Sequence, residues 1–419
     1  MEGPDLMTER ARCPVVSFDH HSVEHGADPV GSYRALRQSA PVAWSEAHGG
    51  YWVVSDYASL FDAARDDDTF SSARNSHGGE GLSVVIPKTP MHQHIPIEID
   101  PPDFRKYRKI LNLITAPSAA ERMSDVVLDY TTRFIDNVIE AGECDFASVI
   151  GVPAAVTIDW LGLPVQDWRR YAAAHHAVLA TEPGSAAYVH AATVELPSLS
   201  RQMAEVIAAR HQEPRDDIIS FLVHQEIDGT PISEDEVFSM IELLIAGGTG
   251  TTASLVGQTL VWLDAHPGVR RQLIDHPDML PRAVEEFLRC FSPTQALART
   301  VTTDVEFHSC LMRQGDRVLL SWASANRDPA VFEDPDTVDI ERWPNRHAAF
   351  GLGIHRCAGA HIARILARTL LGQILERMPD YVIDTERLEP YLAQGVNAGY
   401  RQIPARFTPG PRRSTNIAS

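Results

Sequence analysis

The stretch Phe350-Gly351-Leu352-Gly353-Ile354-His355-Arg356-Cys357-Ala358-Gly359, running on into Ala360-His361-Ile362-Ala363-Arg364-Ile365-Leu366, decides how the chain is read. Its first half is punctuated by Gly351, Gly353 and Gly359, and its second half carries Ile362, Ile365, Leu366 and Leu370 at helical spacing. Cys357 therefore ends a glycine-rich loop and faces the N-terminus of an amphipathic helix. Unpaired N–H groups and the helix dipole favour a thiolate there, so a lowered thiol pKa is expected. A soft anionic sulfur serves as a metal ligand or as a nucleophile. His355 and His361 are close enough in sequence to act as bases for a nucleophile, whereas one cysteine with two histidines at these spacings does not match a zinc site. A single thiolate suits haem, whose porphyrin provides the other donors in its plane. Cys144, Cys290 and Cys310, each alone in sequence, read as inert buried thiols.

Around this loop lies an acidic chain of 419 residues, with 37 Lys+Arg, 56 Asp+Glu, a net charge of −19 and 44% hydrophobic residues. That composition excludes disorder, and the negative balance argues against nucleic acid as a partner. No uninterrupted apolar run approaches the roughly 18 residues of a membrane helix, and the first thirty residues lack a basic start followed by an apolar core, so neither a membrane span nor export is expected. Five cysteines, odd in number and without a CxxC pair, point to a reducing, cytoplasmic setting. No linker interrupts the chain, which reads as one unit over 1–419.

Helical periodicity recurs at 104–114, 123–142, 234–248, 281–291 and 360–378, while β-favouring runs flank turns at 42–56 and 302–324. The fold class is mainly α with a small β-rich part. The longest helix starts at a capping box, Ser233 with Glu236, and runs to His266-Pro267; its roughly 32 residues would span on the order of 48 Å. Its middle holds Gly247, Gly248 and Gly250 among Thr249, Thr251 and Thr252, at about 1 kcal/mol per glycine. A phosphate loop is excluded because no Lys follows the glycines. A close helix crossing and a helix opened for a ligand both remain. The tail 409–419 is expected to fray.

The decapeptide 350–359 resembles the haem-binding signature of the cytochrome P-450 superfamily at every fixed position. Glu286-Phe287-Leu288-Arg289, the run Ala325-Asn326-Arg327-Asp328-Pro329 leading to Asp339-Ile340-Glu341-Arg342, the Gly/Thr break, and Asp100-Pro101-Pro102 before the helix of Arg108 are similar to the same family. The resemblance is nearest to bacterial members without an anchor, and implies the cytochrome P-450 fold. It makes Cys357 the axial thiolate of haem b, shielded by Phe350, with Gly351, Gly353 and Gly359 shaping the loop. Arg108, Arg299 and His355 would pair with the propionates, although Phe104 stands where the family often has a histidine. Gly247 and Gly248 would approach the haem. Glu286, Arg289 and Arg342 would form a structural ion-pair network.

Aligned on the family, Thr251 is the alcohol that helps deliver protons to dioxygen, with Thr249 and Thr252 beside it, and Gly250 stands where an acid is usual. The implied reaction is insertion of one oxygen atom from O2 into a hydrophobic small molecule. Electrons would come from an external ferredoxin and ferredoxin reductase, because the chain has no flavin or nucleotide motif. Arg105, Lys106, Lys109, Arg346, Arg356 and Arg364 would form the basic docking patch. The loss of the acid leaves open a peroxide-driven, coupling or rearrangement chemistry, and a non-catalytic haem protein is a further alternative. The implied pocket is walled by 75–98, 174–198, 292–298 and 393–400, with Val85, Ile86, Ala296, Leu297 and Val396 apolar and Thr294, Gln295 and Asn397 polar. A monomer is expected. His20, His21 and His25, and His92 with His94, read as surface histidines rather than metal tracts.

Overall fold

The computed structural model describes residues 13–74, 83–89 and 91–414; the pocket residues 75–82 and 90 and the tail end 415–419 lie outside the described residues. Helices dominate, and a six-stranded sheet takes the early and late β-runs. Its strands are β1 (Val15–Val16), β2 (Val42–Ser45), β3 (Tyr51–Val54), β4 (Phe70–Ser71), β5 (Leu297–Val301) and β6 (Arg317–Leu320), in the order β1-β2-β3-β6-β5-β4. β2 and β3 form the expected hairpin, and β6 lies parallel to β3 and antiparallel to β5. Side chains alternate along a strand. Trp52, Val54, Val318 and Leu320 accordingly enter one core cluster, and Tyr51, Val53, Leu319 and Ala298 enter another on the opposite face.

The helices that position the site are α1 (Asp103–Thr115), α2 (Val152–Leu161), α3 (Trp168–Leu179), α4 (Glu234–Gly248), α5 (Thr251–Ala265), α6 (Leu280–Phe291) and α7 (Ala360–Arg377). The capping box at Ser233 and Glu236 is formed as read from the sequence. The single long helix is corrected to two, α4 and α5, parted at Thr249-Gly250. Taken together, Glu234–Ala265 is long and apolar enough to cross a membrane by length and composition, which the search for uninterrupted apolar runs did not single out. Here α4 is packed in one core cluster with α2 and α3, and α5 in another with α6 and α7.

The tail does not fray through Ser414. Buried Asp136 accepts N–H bonds from Arg413 and Ser414 and pairs with Arg377, so the last described turn supplies donors that this carboxylate needs.

Candidate functional site

Gly351 and Gly353 each hold φ +70°, a left-handed conformation that costs a residue with a Cβ roughly 1–2 kcal/mol. The loop is closed by Gly351 N–H donating to Ala348 O and Cys357 N–H donating to Phe350 O, both 2.8 Å. At Gly353 a Cβ would lie 2.0 Å from Ala64 O, whereas at Gly315, φ +87°, it would meet nothing within 4 Å. Gly353→Ala is therefore expected to lower the urea midpoint clearly more than Gly315→Ala, because only the first adds a backbone collision to the conformational cost.

Cys13, Cys290 and Cys310 are buried and Cys144 is half-buried; Cys357 alone of the five is exposed. Burial raises its thiol pKa despite the Gly359 N–H and the nearby Arg108, Arg356 and Arg364. The expected lowering by the helix N-terminus is thus overturned: desolvation outweighs it. A bound cation reverses that balance, since a coordinating thiol is deprotonated outright.

Three elements bring Arg108 (α1), Arg299 (β5) and His355 (the Cys loop) together. Arg299 is 4% exposed, donates from Nη1 to Ala298 O at 2.9 Å, and has no salt-bridge partner among the described residues. Burial pulls its pKa down to about 10, only partly offset by Asp100. Neither ring nitrogen of His355 has a hydrogen-bond partner among the described residues. Burial, with Arg299 and Arg108 beside it, pushes the His355 pKa down to about 2. Arg108 spends its Nε–H on Asn112 Oδ1 at 3.1 Å. Unpaired buried cations and orphaned donors are costly. A group carrying carboxylates and a metal that takes one thiolate satisfies both defects, so the residues present fit a haem. Phe104 packs edge-on against His355, ring centroids 4.5 Å apart, and supplies no donor where a histidine is usual.

At the break in the long helix, Gly247 is exposed although it sits mid-fold. The Thr251 hydroxyl donates to Gly247 O at 2.9 Å, and the Thr249 hydroxyl to Ile245 O at 2.9 Å. Thr252 is buried. Open space surrounds the Cβ positions of Gly247 and Gly250, so steric room does not explain the missing acid at 250. Gly248 is different: its Cβ would fall 2.7 Å from Thr157 Oγ1. Its expected approach to the haem is corrected to a close crossing of α4 on α2. The close-crossing reading therefore holds at Gly248.

The cytochrome P450 family model matches residues 195–379. The steroid C26-monooxygenase of Mycolicibacterium smegmatis is 32% identical over 386 residues, covering 90% of this chain and 92% of its own. The chain belongs to the cytochrome P450 family. Among solved structures, CYP109E1 from Bacillus megaterium in complex with testosterone has TM-score 0.82 and 28% identity, covering 92% of this chain and 99% of its own. The P450 PksS of the Bacillus subtilis bacillaene polyketide synthase has TM-score 0.82 and 26% identity, covering 93% and 100%. As a P450 the protein is a haem-iron oxidoreductase of the monooxygenase type that uses O2, a hydrophobic substrate and an external source of electrons.

Beneath the P450 cysteine loop lies the ion-pair network. Arg289 and Glu286 are wholly buried, and Arg289 donates to both Glu286 oxygens, at 2.7 and 2.8 Å, and to the carbonyls of Asn326, Pro335 and Thr337. Arg342 Nε adds a bond of 3.2 Å to Glu286. Sequence reasoning assembled these three but missed Asn345, whose amide donates to Glu286 at 3.0 Å. It also missed Glu285, which binds Arg364 at 2.6 and 2.7 Å and His347 at 3.1 Å, tying α6 to α7. The signal was a second carboxylate adjoining the first. Burial opposes ionisation of Glu285, but the Arg364 and His347 bonds hold its pKa down to about 2. A depressed carboxylate stabilises fully above its unfolded pKa near 4.3 and loses that contribution as pH falls through its folded one. Between about pH 5 and pH 2 the P450 is expected to lose roughly 3 kcal/mol more stability than its Glu285→Gln variant, read from urea midpoints at each pH.

Several expected site residues have other duties. Ile86 and Ala296 pack in the core cluster of Tyr33, Tyr51 and Leu319. The Gln295 amide is spent on the carbonyls of Phe291 and Ser292, so it is not a free polar guide. Val85 and Val396 are buried outside all four core clusters, and the Thr294 hydroxyl donates to Asn397 Oδ1 at 3.3 Å. In the basic patch, Lys106 pairs with Asp103 and Asp228, and Arg364 with Glu285 while lying over the Phe350 ring at 4.5 Å. Arg105, Lys109, Arg346 and Arg356 are exposed.

Proposed function

We propose that this P450 holds haem b with Cys357 as the axial thiolate and hydroxylates a neutral, steroid-sized hydrophobic molecule. The carrying observation is the exposed Cys357 with Arg108, Arg299 and His355, for which no carboxylate partner is present among the described residues. Bound there, haem supplies the iron at which dioxygen is reductively activated.

Arg108, Arg299 and His355 would hold the carboxylates of the bound haem through charge-assisted hydrogen bonds. Phe350 shields the sulfur from water, and the loop N–H groups, that of Gly359 among them, tune its basicity. Gly247 leaves room on the opposite side. The Thr251 hydroxyl, held by Gly247 O, passes protons inward, with Thr249 and Thr252 ordering water where Gly250 supplies no acid. Val85, Leu297 and Val396 form apolar wall, and Thr294 with Asn397 offers a polar guide. The steroid named for one relative and the testosterone named for a structural neighbour support a substrate of that size. A ferredoxin, served by its reductase, docks on Arg105, Lys109, Arg346 and Arg356. The enzyme works as a cytoplasmic monomer, one haem domain over 1–419.

Screening steroids for a low-to-high-spin shift identifies the substrate class. Turnover with ferredoxin, its reductase and labelled dioxygen then places one labelled atom in the product; an unlabelled product overturns hydroxylation. Gly250 favours a second reading, peroxide-driven oxidation or coupling, which is recognised by full turnover on peroxide with no label from dioxygen.

A further inference from the structure

Far from the cysteine loop in sequence, Asp19-His20-His21 meets His48, on the turn between β2 and β3. The surface placement expected for these histidines is overturned, since His20 is 0% and His25 3% exposed. We propose that Asp19, His20 and His48 form a binding site for a divalent transition-metal ion of the zinc class.

The tautomers carry the argument. His20 Nε2 and His21 Nε2 each lie 2.8 Å from the carbonyl oxygen of Ile86, so both must be N–H donors. A neutral His20 therefore carries no proton on Nδ1, which accepts from the Tyr51 hydroxyl at 3.0 Å. A ligating histidine is oriented in this way, its other N–H given to a backbone carbonyl.

Asp19 Oδ1 lies 2.8 Å from His48 Nε2 and 3.9 Å from His20 Nδ1, and the three atoms are all within 4.8 Å of one another. Across each of those two separations an ion about 2.1 Å from both atoms would subtend roughly 84° and 136°, bracketing the tetrahedral value. Two imidazoles and a carboxylate are a zinc-type donor set. On binding, the His48 proton moves from Nε2 to Nδ1, and Asp19 keeps its bond from the His21 backbone N–H, 2.8 Å. The Tyr51 hydroxyl, 3.0 Å from His20 Nδ1, or a water takes the open position. His48 and Asp19 are 22% and 35% exposed, which leaves an entry path. The ion would pin the N-terminal segment to the hairpin and, through Ile86 O, to the loop that carries Val85.

The haem-loaded protein, stripped with a chelator and titrated with zinc ions alone, should bind about one equivalent saturably at micromolar free metal, by calorimetry and metal analysis. His48→Asn and Asp19→Asn should each weaken binding by more than about tenfold, the loss that even an outer partner of a ligand costs. Zinc should raise the Tm of the parent and not of His48→Asn. His308→Ala, which removes an exposed histidine 3.8 Å from Asp62, should leave binding unchanged. Absence of saturable binding overturns the site, as does binding as tight as the parent's in both Asn variants.

Discussion

Replacing Cys357 by serine is expected to abolish the absorbance that a sulfur-bound haem shows when reduced and treated with carbon monoxide, and with it all turnover. Serine keeps the size and the loop hydrogen bond from residue 357 N–H to Phe350 O, so the loss isolates the sulfur. A hydroxyl is a harder and far less acidic donor than a thiol. Cys310→Ser is the matched control. Cys310 is buried on a short strand beside Cys13 and Val42, its thiol pushed up to about 12 by burial and by Cys13. It should retain the full signature. Equal loss in both variants would show that the wrong sulfur has been assigned.

The second large effect is expected at Arg289→Met. Methionine fills much of the volume but leaves Glu286 buried without its two-pronged partner and strips the donor from the carbonyls of Asn326, Pro335 and Thr337. Removing one partner of a buried pair costs about 3–5 kcal/mol. Arg342→Ala should cost less, roughly 1–3 kcal/mol, because Arg342 makes a single 3.2 Å bond to Glu286 and is partly exposed. Urea unfolding of the haem-loaded variants measures both, with haem retention as a second readout. A cost for Arg289→Met no larger than for Arg342→Ala would show that the network does not hold the fold beneath the cysteine loop.

Legibility differed by residue. Cys357 and its glycines were readable because the loop is local: positive φ at Gly351 and Gly353 and the following helix all lie within a few residues of the sulfur. Glu286 and Arg289 were visible as an i,i+3 pair on α6, but their burial followed only from the family resemblance, because Asn345 and the carbonyl acceptors arrive from the chain 37 to 59 residues later. The three glycines of the broken helix looked alike in sequence. They part company only in space, where Gly248 meets Thr157 and Gly247 and Gly250 meet nothing.

Short-range chemistry was therefore written in the residue order: helix periodicity, the capping box at Ser233, the turn at Gly315, and one thiol among five placed in a turn able to present it. Folding settled what depends on the surroundings: that burial raises the Cys357 thiol pKa, that Arg299 and Arg108 come to lie beside His355, and that His20 is interior. Periodicity and turn preferences act over a few residues, whereas desolvation and charge pairing are set by distances between segments that approach only in the packed chain.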